Sequence, residues 1–274
     1  KETDTYPINP LLGQQPNPYS LLNNTDKGRT DRLLGNIFIE ATPLSGLTLR
    51  VNAGLDHANI DRKTYQPRST LNGKNLNGVA YIYNTANNQY LMEATATYQR
   101  TFNDIHNVNL LAGTSYEKIN YDASELGNNN FITDAFLWNN MDAGTGTKIT
   151  KSTSTENKMM SYFFRAGYIL KNRYLLTATL RADGASVFAK NNKWGYFPSV
   201  AAGWTLSEED FMKNINWLSN LKLRLSWGQT GNADISTNAF ASYGAQGSWI
   251  NSEYKTISGV MKSRLENPDL KWEK

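Results

Sequence analysis

The side chains able to do acid–base or metal chemistry are few and scattered along this chain. Its two histidines are His57 and His106, and no cluster of Cys, Asp or Glu at metal-ligand spacing accompanies either. Both therefore read as surface residues. Glu208, Glu209 and Asp210 are adjacent, an arrangement that suits charge at a helix N-terminus better than two carboxylates facing each other across a cleft. The absence of cysteine excludes a thiol nucleophile, disulfides and Cys-based zinc sites. No Gly-x-Ser-x-Gly, phosphate loop or dinucleotide fingerprint occurs, and Asp183-Gly184 and Asn191-Asn192 read as turn residues. The expectation is no enzyme, no metal and no cofactor.

The elements that carry these residues have a different logic. In 174–183 the even positions are Tyr174, Leu176, Ala178, Leu180 and Ala182, and the odd ones include Thr177, Thr179, Arg181 and Asp183. Side chains alternate across a strand, so one face is apolar and the other carries charge. Residues 160–170 place Met160, Tyr162, Phe164, Ala166, Tyr168 and Leu170 opposite Ser161, Arg165 and Gly167. Residues 221–227 place Leu221, Leu223, Leu225 and Trp227 opposite Lys222, Arg224 and Ser226. The same pattern recurs in 108–116, and in 47–55, where Arg50 and Asn52 oppose Leu49, Val51 and Ala53. Soluble strands average five or six residues, whereas a tilted membrane strand needs about nine to eleven. Length favours the membrane.

Composition is compatible with this. Charged residues make up 19% and aromatics 12%, as expected where half of each strand faces a polar lumen. No run of eighteen apolar residues occurs, which excludes a helical span. A net charge of +4, not gathered into a basic tract, gives nucleic-acid binding no support. The chain opens at Lys1-Glu2-Thr3-Asp4 without a signal-like segment, and it is read as part of a longer protein.

Strands pair through short connections, and the pairs are joined by long ones. Residues 33–41 and 47–60, 90–101 and 107–121, and 158–170 and 174–183 are expected hairpins. Residues 61–89, 122–157 and 184–196 are expected loops. Strands 197–206 and 221–229 are joined by 207–220, where Ser207-Glu208-Glu209-Asp210 resembles a capping box and predicts a short amphipathic helix. The fold class is thus all-β: an antiparallel meander of long hairpins forming part of a transmembrane β-barrel, with long extracellular loops and short periplasmic turns.

At 181–204 the chain reads RADGASVFAKNNKWGYFPSVAAGW. This resembles the SusC/RagA class of TonB-dependent outer-membrane transporters, with Ala185 where Ser is usual and Val187 where Arg is usual. NPYSLLNNTDKGRTDRLLGN at 17–36, LKLRLSWGQTGN at 221–232 and NPDLKWE at 267–273 agree in the same order. The resemblance implies that 1–274 is a partial barrel domain of roughly eight strands out of about 22, with signal peptide, plug and closing strands lying elsewhere. It also implies import of oligosaccharide or peptide across the outer membrane of a Gram-negative bacterium, energised by TonB, with a SusD-like surface lipoprotein as partner. A soluble carbohydrate-binding β-sandwich and a passive porin-like channel are the competing readings.

Side-chain roles follow from parity and loop position. Tyr162, Phe164, Tyr168, Tyr174, Leu176, Leu180, Trp204, Leu223, Leu225 and Trp227 are expected to face lipid. Arg50, Arg165, Arg181, Asp183, Lys222 and Arg224 are expected to face the lumen. Tyr65, Tyr81, Tyr83, Trp138, Trp249 and Tyr254 fall in expected outer loops, where they would either bind substrate or partner or hold the loops together.

Overall fold

The computed structural model describes residues 6, 15–212, 215, 217–235, 239–244, 248–250 and 256–273. Eight strands form one antiparallel meander in which chain order and spatial order coincide. They are β1 (Thr25–Leu44), β2 (Leu47–Gln66), β3 (Val79–Phe102), β4 (His106–Asn129), β5 (Ile149–Leu170), β6 (Tyr174–Ala185), β7 (Trp194–Thr205) and β8 (Lys222–Gly228). Two short pairs complete the described strands: β9 (Ser242–Gly244) with β12 (Met261–Arg264), and β10 (Ser248–Ile250) with β11 (Thr256–Ser258). Helices are limited to α1 (Pro18–Leu21), α2 (Leu71–Asn75) and two single 3-10 turns among the described residues.

Turn chemistry explains the reversals. Lys171 and Asn172 have φ of 52° and 57°, and Asn103 and Asp104 have φ of 48° and 57°. Two successive residues in this region make the two-residue turn whose twist matches its flanking strands, and Asn and Asp tolerate it best. The Arg173 amide donates to the Leu170 carbonyl at 3.0 Å, and the Ile105 amide to that of Phe102 at 3.2 Å. Gly46, with φ of 82°, turns β1 into β2, and a Cβ there would lie 2.3 Å from the Gln99 carbonyl oxygen. Any side chain would push this turn off β3.

Through β5–β8 the register keeps like parity against like. Phe164 pairs with Leu180 and Leu180 with Pro198; Tyr168 pairs with Leu176, Leu176 with Ala202 and Ala202 with Leu225. A slip of one residue on any strand would set apolar against polar positions.

The strands outrun their expected bounds. β1 begins at Thr25 instead of 33, β3 at Val79 instead of 90 and β5 at Ile149 instead of 158, and β4 runs to Asn129 instead of 121. The expected loops 61–89 and 122–157 therefore shrink to 67–78 and 130–148. In the stretches added to β1 and β5 both parities are mostly polar, and in that added to β3 the residues Val79 to Tyr83 are apolar or aromatic on both, so in neither case does alternation carry a signal although the ladder continues. The chain divides into two compact units: Lys1–Gly35, Leu55–Gln89 and Ile119–Glu156 make up the first, and Asn36–Gly54, Tyr90–Lys118 and Asn157–Lys274 the second.

The helix expected in 207–220 is absent among the described residues of that connection. A 3-10 turn at Leu206–Glu208 takes its place, without a side-chain cap, and the Ser207 hydroxyl has no partner. Glu209 is extended, with ψ of 145°, because its carboxylate is held by three side chains from β6, β7 and the turn before β6.

Candidate functional site

Two faces and two packed clusters make up the candidate surface. On the apolar parity of the second unit Tyr162, Phe164, Tyr168, Tyr174, Leu176, Leu180, Trp204, Leu223, Leu225 and Trp227 are all exposed, Leu225 at 78%. So many exposed apolar side chains on one sheet face need a partner or an apolar solvent. Aromatic pairs mark its ends: Tyr162 stacks on Trp194 with centroids 5.8 Å apart, and Tyr174 on Trp204 at 6.4 Å. From Trp194 to Trp204, β7 rises roughly 33 Å along the strand, which at a tilt of 35–45° is about 25 Å of height, the thickness of the apolar band on outer-membrane barrels.

The opposite parity holds the charged residues. Arg181 donates to Asp183 at 2.8 Å and to the Ser161 hydroxyl at 2.9 Å, and its guanidinium lies 5.7 Å from the Phe163 ring. Arg50 lies 4.0 Å over the Phe38 ring and 3.8 Å from Glu40. Arg165 pairs across the ladder with Thr179, Lys222 with Thr205 and Arg224 with Gly203. Sequence reading missed two bidentate pairs in the first unit, Arg32 with Asp56 and Arg62 with Asp26. Their signal was available only to a reader who already had the register of β1 on β2.

The aromatics assigned to loops divide differently from the expectation. Tyr65 and Trp138, 1% and 8% exposed, form a core with Ala80 and Phe131, against which Ile82, Leu137, Met141 and Ala143 pack. The Tyr65 hydroxyl donates to Asp134 at 2.9 Å, and Asn128 donates to the carbonyls of Met141 and Gly144. These bonds fold 130–148 into a fixed element. Neither ring offers a free face for a ligand, which corrects the stacking role considered for them: burial of a large ring is worth more to the loop than exposure.

Tyr81 and Tyr83 lie on β3, not in a loop, and stack with centroids 5.7 Å apart at 17°. Gly127 makes room for them, since a Cβ there would fall 2.7 Å from the Tyr81 ring. Trp249 lies in β10 opposite Ile257, and Tyr254 lies outside the described residues. His57 bonds to Asn88 and His106 to the Tyr168 hydroxyl. No group of three or more His, Cys, Asp or Glu suited to a metal occurs among the described residues.

The second core gathers two of the sequence segments singled out above, 181–204 and 267–273. Ala185 and Phe188 from one, Phe197 from the same run and Trp272 from NPDLKWE pack together, joined by Ala233 just past GQTGN. Trp272 meets Phe188 and Phe197 at 5.2 and 5.3 Å and donates its indole N–H to the Lys193 carbonyl at 2.9 Å. A Cβ at Gly231 would lie 2.1 Å from the Phe197 ring and one at Gly195 2.8 Å from Trp272, so both glycines are required by close packing.

At the short-turn end Glu209 accepts from Tyr174 at 2.7 Å, Trp204 at 2.9 Å and Arg173 at 2.9 Å. Hydrogen bonds from Tyr174 and then Trp204, with the Arg173 charge, hold its carboxyl below the usual carboxylate range. Nothing in the spacing of 207–210 signals this hub.

A family model described as "TonB dependent receptor-like, beta-barrel" matches residues 2–274. TonB-dependent receptor P3 of Formosa agariphila is 31% identical over 271 residues, covering 98% of this chain and 27% of the relative. TonB-dependent receptor SusC of Bacteroides thetaiotaomicron is 32% identical over 283 residues, covering 98% of this chain and 26% of the relative. A solved structure, "Structure of the RagAB peptide transporter", superposes with a TM-score of 0.81 at 25% identity over 93% of this chain and 28% of that one. The chain thus spans about a quarter of the length of the curated relatives it matches. On the matched family model and these relatives, the chain belongs to the TonB-dependent receptor β-barrel family, outer-membrane proteins of Gram-negative bacteria.

Proposed function

We propose that this chain is one wall of a larger outer-membrane barrel that imports oligosaccharide or peptide under power delivered by TonB. The observation that supports this most is the unbroken register of β5–β8, which sets Phe164, Leu180, Leu176, Leu225 and Leu223 on one face and Arg165, Arg181, Lys222 and Arg224 on the other. The first face meets lipid and the second meets the lumen. A solved structure titled a peptide transporter agrees with a peptide substrate, and the relative named TonB-dependent receptor SusC agrees with import powered through TonB. A SusD-like surface lipoprotein covers the outer mouth and hands substrate on.

Within the wall, Tyr81 and Tyr83 are the residues we assign to substrate. They share a parity with Glu93 and Thr95 and so belong to the lumen side, where paired flat rings offer stacking area to sugars or side chains. Trp249 and Tyr254 remain assigned to substrate or partner contact. The experiment is uptake of the cognate nutrient by cells carrying the full-length protein. Uptake vanishes when TonB is deleted or the proton gradient is collapsed; uptake that persists rejects the powered importer in favour of a passive channel.

A further inference from the structure

The connection from β7 to β8 carries two large rings that the fold leaves bare. The amides of Glu209, Met212, Ile215 and Leu218 donate in turn to the carbonyls of Leu206, Glu209, Met212 and Ile215 at 2.9 to 3.2 Å, a repeat of three residues that sets positions three or six apart on one side. Met212, Ile215 and Leu218 form the half-buried side. Phe211 and Trp217, six apart, are 65% and 85% exposed. We propose that these two rings insert into the phospholipid headgroup layer on the short-turn side of the membrane and fix the depth of β7 and β8 there, an inference that rests on the lipid orientation given above.

Continuity with the apolar face selects this occupant, and every residue concerned lies in the second unit. Tyr174 and Trp204 share the apolar parity with Leu223 and Leu225, and these four residues line one apolar groove. The Tyr174 hydroxyl and the Trp204 indole N–H both donate to the Glu209 carboxylate. An aromatic at the edge of an apolar band keeps its ring in the band and its polar tip in the wet layer beside it. Glu209 therefore stands in that layer, on the lipid side of the wall. Phe211 follows two residues later, at most about 7 Å along the chain, against a headgroup layer about 5–8 Å thick. The Ser207 amide donates to the Leu221 carbonyl at 3.2 Å, so the connection also ends at that edge, and Trp217 stands four residues before it. A plug or substrate in the lumen would meet the opposite parity. Bare rings of this size call for an apolar cover, and the lipid beside Tyr174 and Trp204 supplies it without a further protein.

The test places the photo-crosslinker benzoyl-phenylalanine at Phe211, Trp217, Leu223 or Ser226 of the full-length protein, one position at a time, in cells, and counts phospholipid adducts by mass spectrometry after illumination. Phe211, Trp217 and Leu223 are expected to yield at least ten times the adducts of Ser226, which lies on the lumen parity. Adducts at Leu223 with only the Ser226 background at Phe211 and Trp217 overturn the proposal and leave the orientation of the wall standing. Equal yields at Leu223 and Ser226 reject that orientation, and the proposal with it. Protein adducts in place of phospholipid at Trp217 overturn it in favour of a periplasmic protein partner. A second measurement uses nanodiscs of phosphatidylethanolamine and phosphatidylglycerol, in which Phe211→Ser with Trp217→Ser is nicked by proteinase K within 207–220 at least tenfold faster than wild type, whereas Phe211→Tyr with Trp217→Phe keeps the protection. Equal nicking of all three proteins overturns the proposal.

Discussion

The same parity of the same strands reads as oil in one stretch and as water in the next. On β2 it runs Leu47, Leu49, Val51, Ala53, Leu55 and then His57, Asn59, Asp61 and Lys63; on β3 it runs from Ala96, Ala94, Met92 and Tyr90 to Asn88, Ala86 and Asn84. The change falls within a few residues of the division between the two compact units, at 54/55 on β2 and 89/90 on β3. The ladder does not break there. Alternation in sequence is written by the surroundings of a strand, and where both faces meet polar surroundings a strand persists without announcing itself.

Three sets of substitutions sharpen this contrast. The largest effect is expected where the polar stretch holds its only sizeable core in the first unit among the described residues. Trp138→Ala should cost the loop cluster about 3–5 kcal/mol, read as rapid protease nicking of 130–148 on intact cells while the strands of the second unit keep their resistance to detergent unfolding. Unchanged nicking would mean that the loop is held by something other than its buried rings.

Next comes the direct comparison of parities. Arg at Leu176, Leu180, Leu223 or Leu225 in the full-length protein should cost about 2–4 kcal/mol near the bilayer midplane. Arg at Thr177 or Ser226, on the other face, should cost far less, and Arg at Asn59, on the lipid-side parity but past the band, should fall within about 0.5 kcal/mol of wild type. Equal penalties at Leu176 and Asn59 in a refolding titration would erase the distinction between the two stretches.

The smallest effect concerns Glu209. Its carboxyl titrates below the ordinary value of 4.5 in the folded chain, so its contribution is complete above that value and is lost as pH falls through the depressed one. Glu209→Gln should therefore lower the denaturation midpoint at about pH 7, and the gap to wild type should narrow as pH falls through the depressed value. A gap that does not change with pH would assign the role to shape and not to charge.

How far the fold was legible follows from these residues. Tyr174 to Asp183 could be read as a strand with two unlike faces because lipid and lumen impose opposite demands on neighbouring positions. Lys171-Asn172 could be read as a turn because few residues tolerate positive φ. The tops of β1–β5 could not, since Asp31, Asn59 and Ser154 obey no alternation. The burial of Tyr65 and Trp138 was equally hidden, because it depends on a loop folding back on Ala80 and Phe131. Glu209 looked like helix-terminal charge for want of any local sign that Tyr174 and Trp204 would reach it.

The packing of Phe197 between two glycines and Trp272 also sets a timetable. Trp272 closes on a carbonyl 79 positions earlier in the chain, so the end of the β6–β7 hairpin stays uncapped until the NPDLKWE segment docks on it. Contacts so far apart in sequence form late, and until then Phe188 and Phe197 are bare to any chaperone or protease that meets the chain on its way to the membrane. The segment that completes the core is thereby also a checkpoint on when this wall becomes safe from quality control.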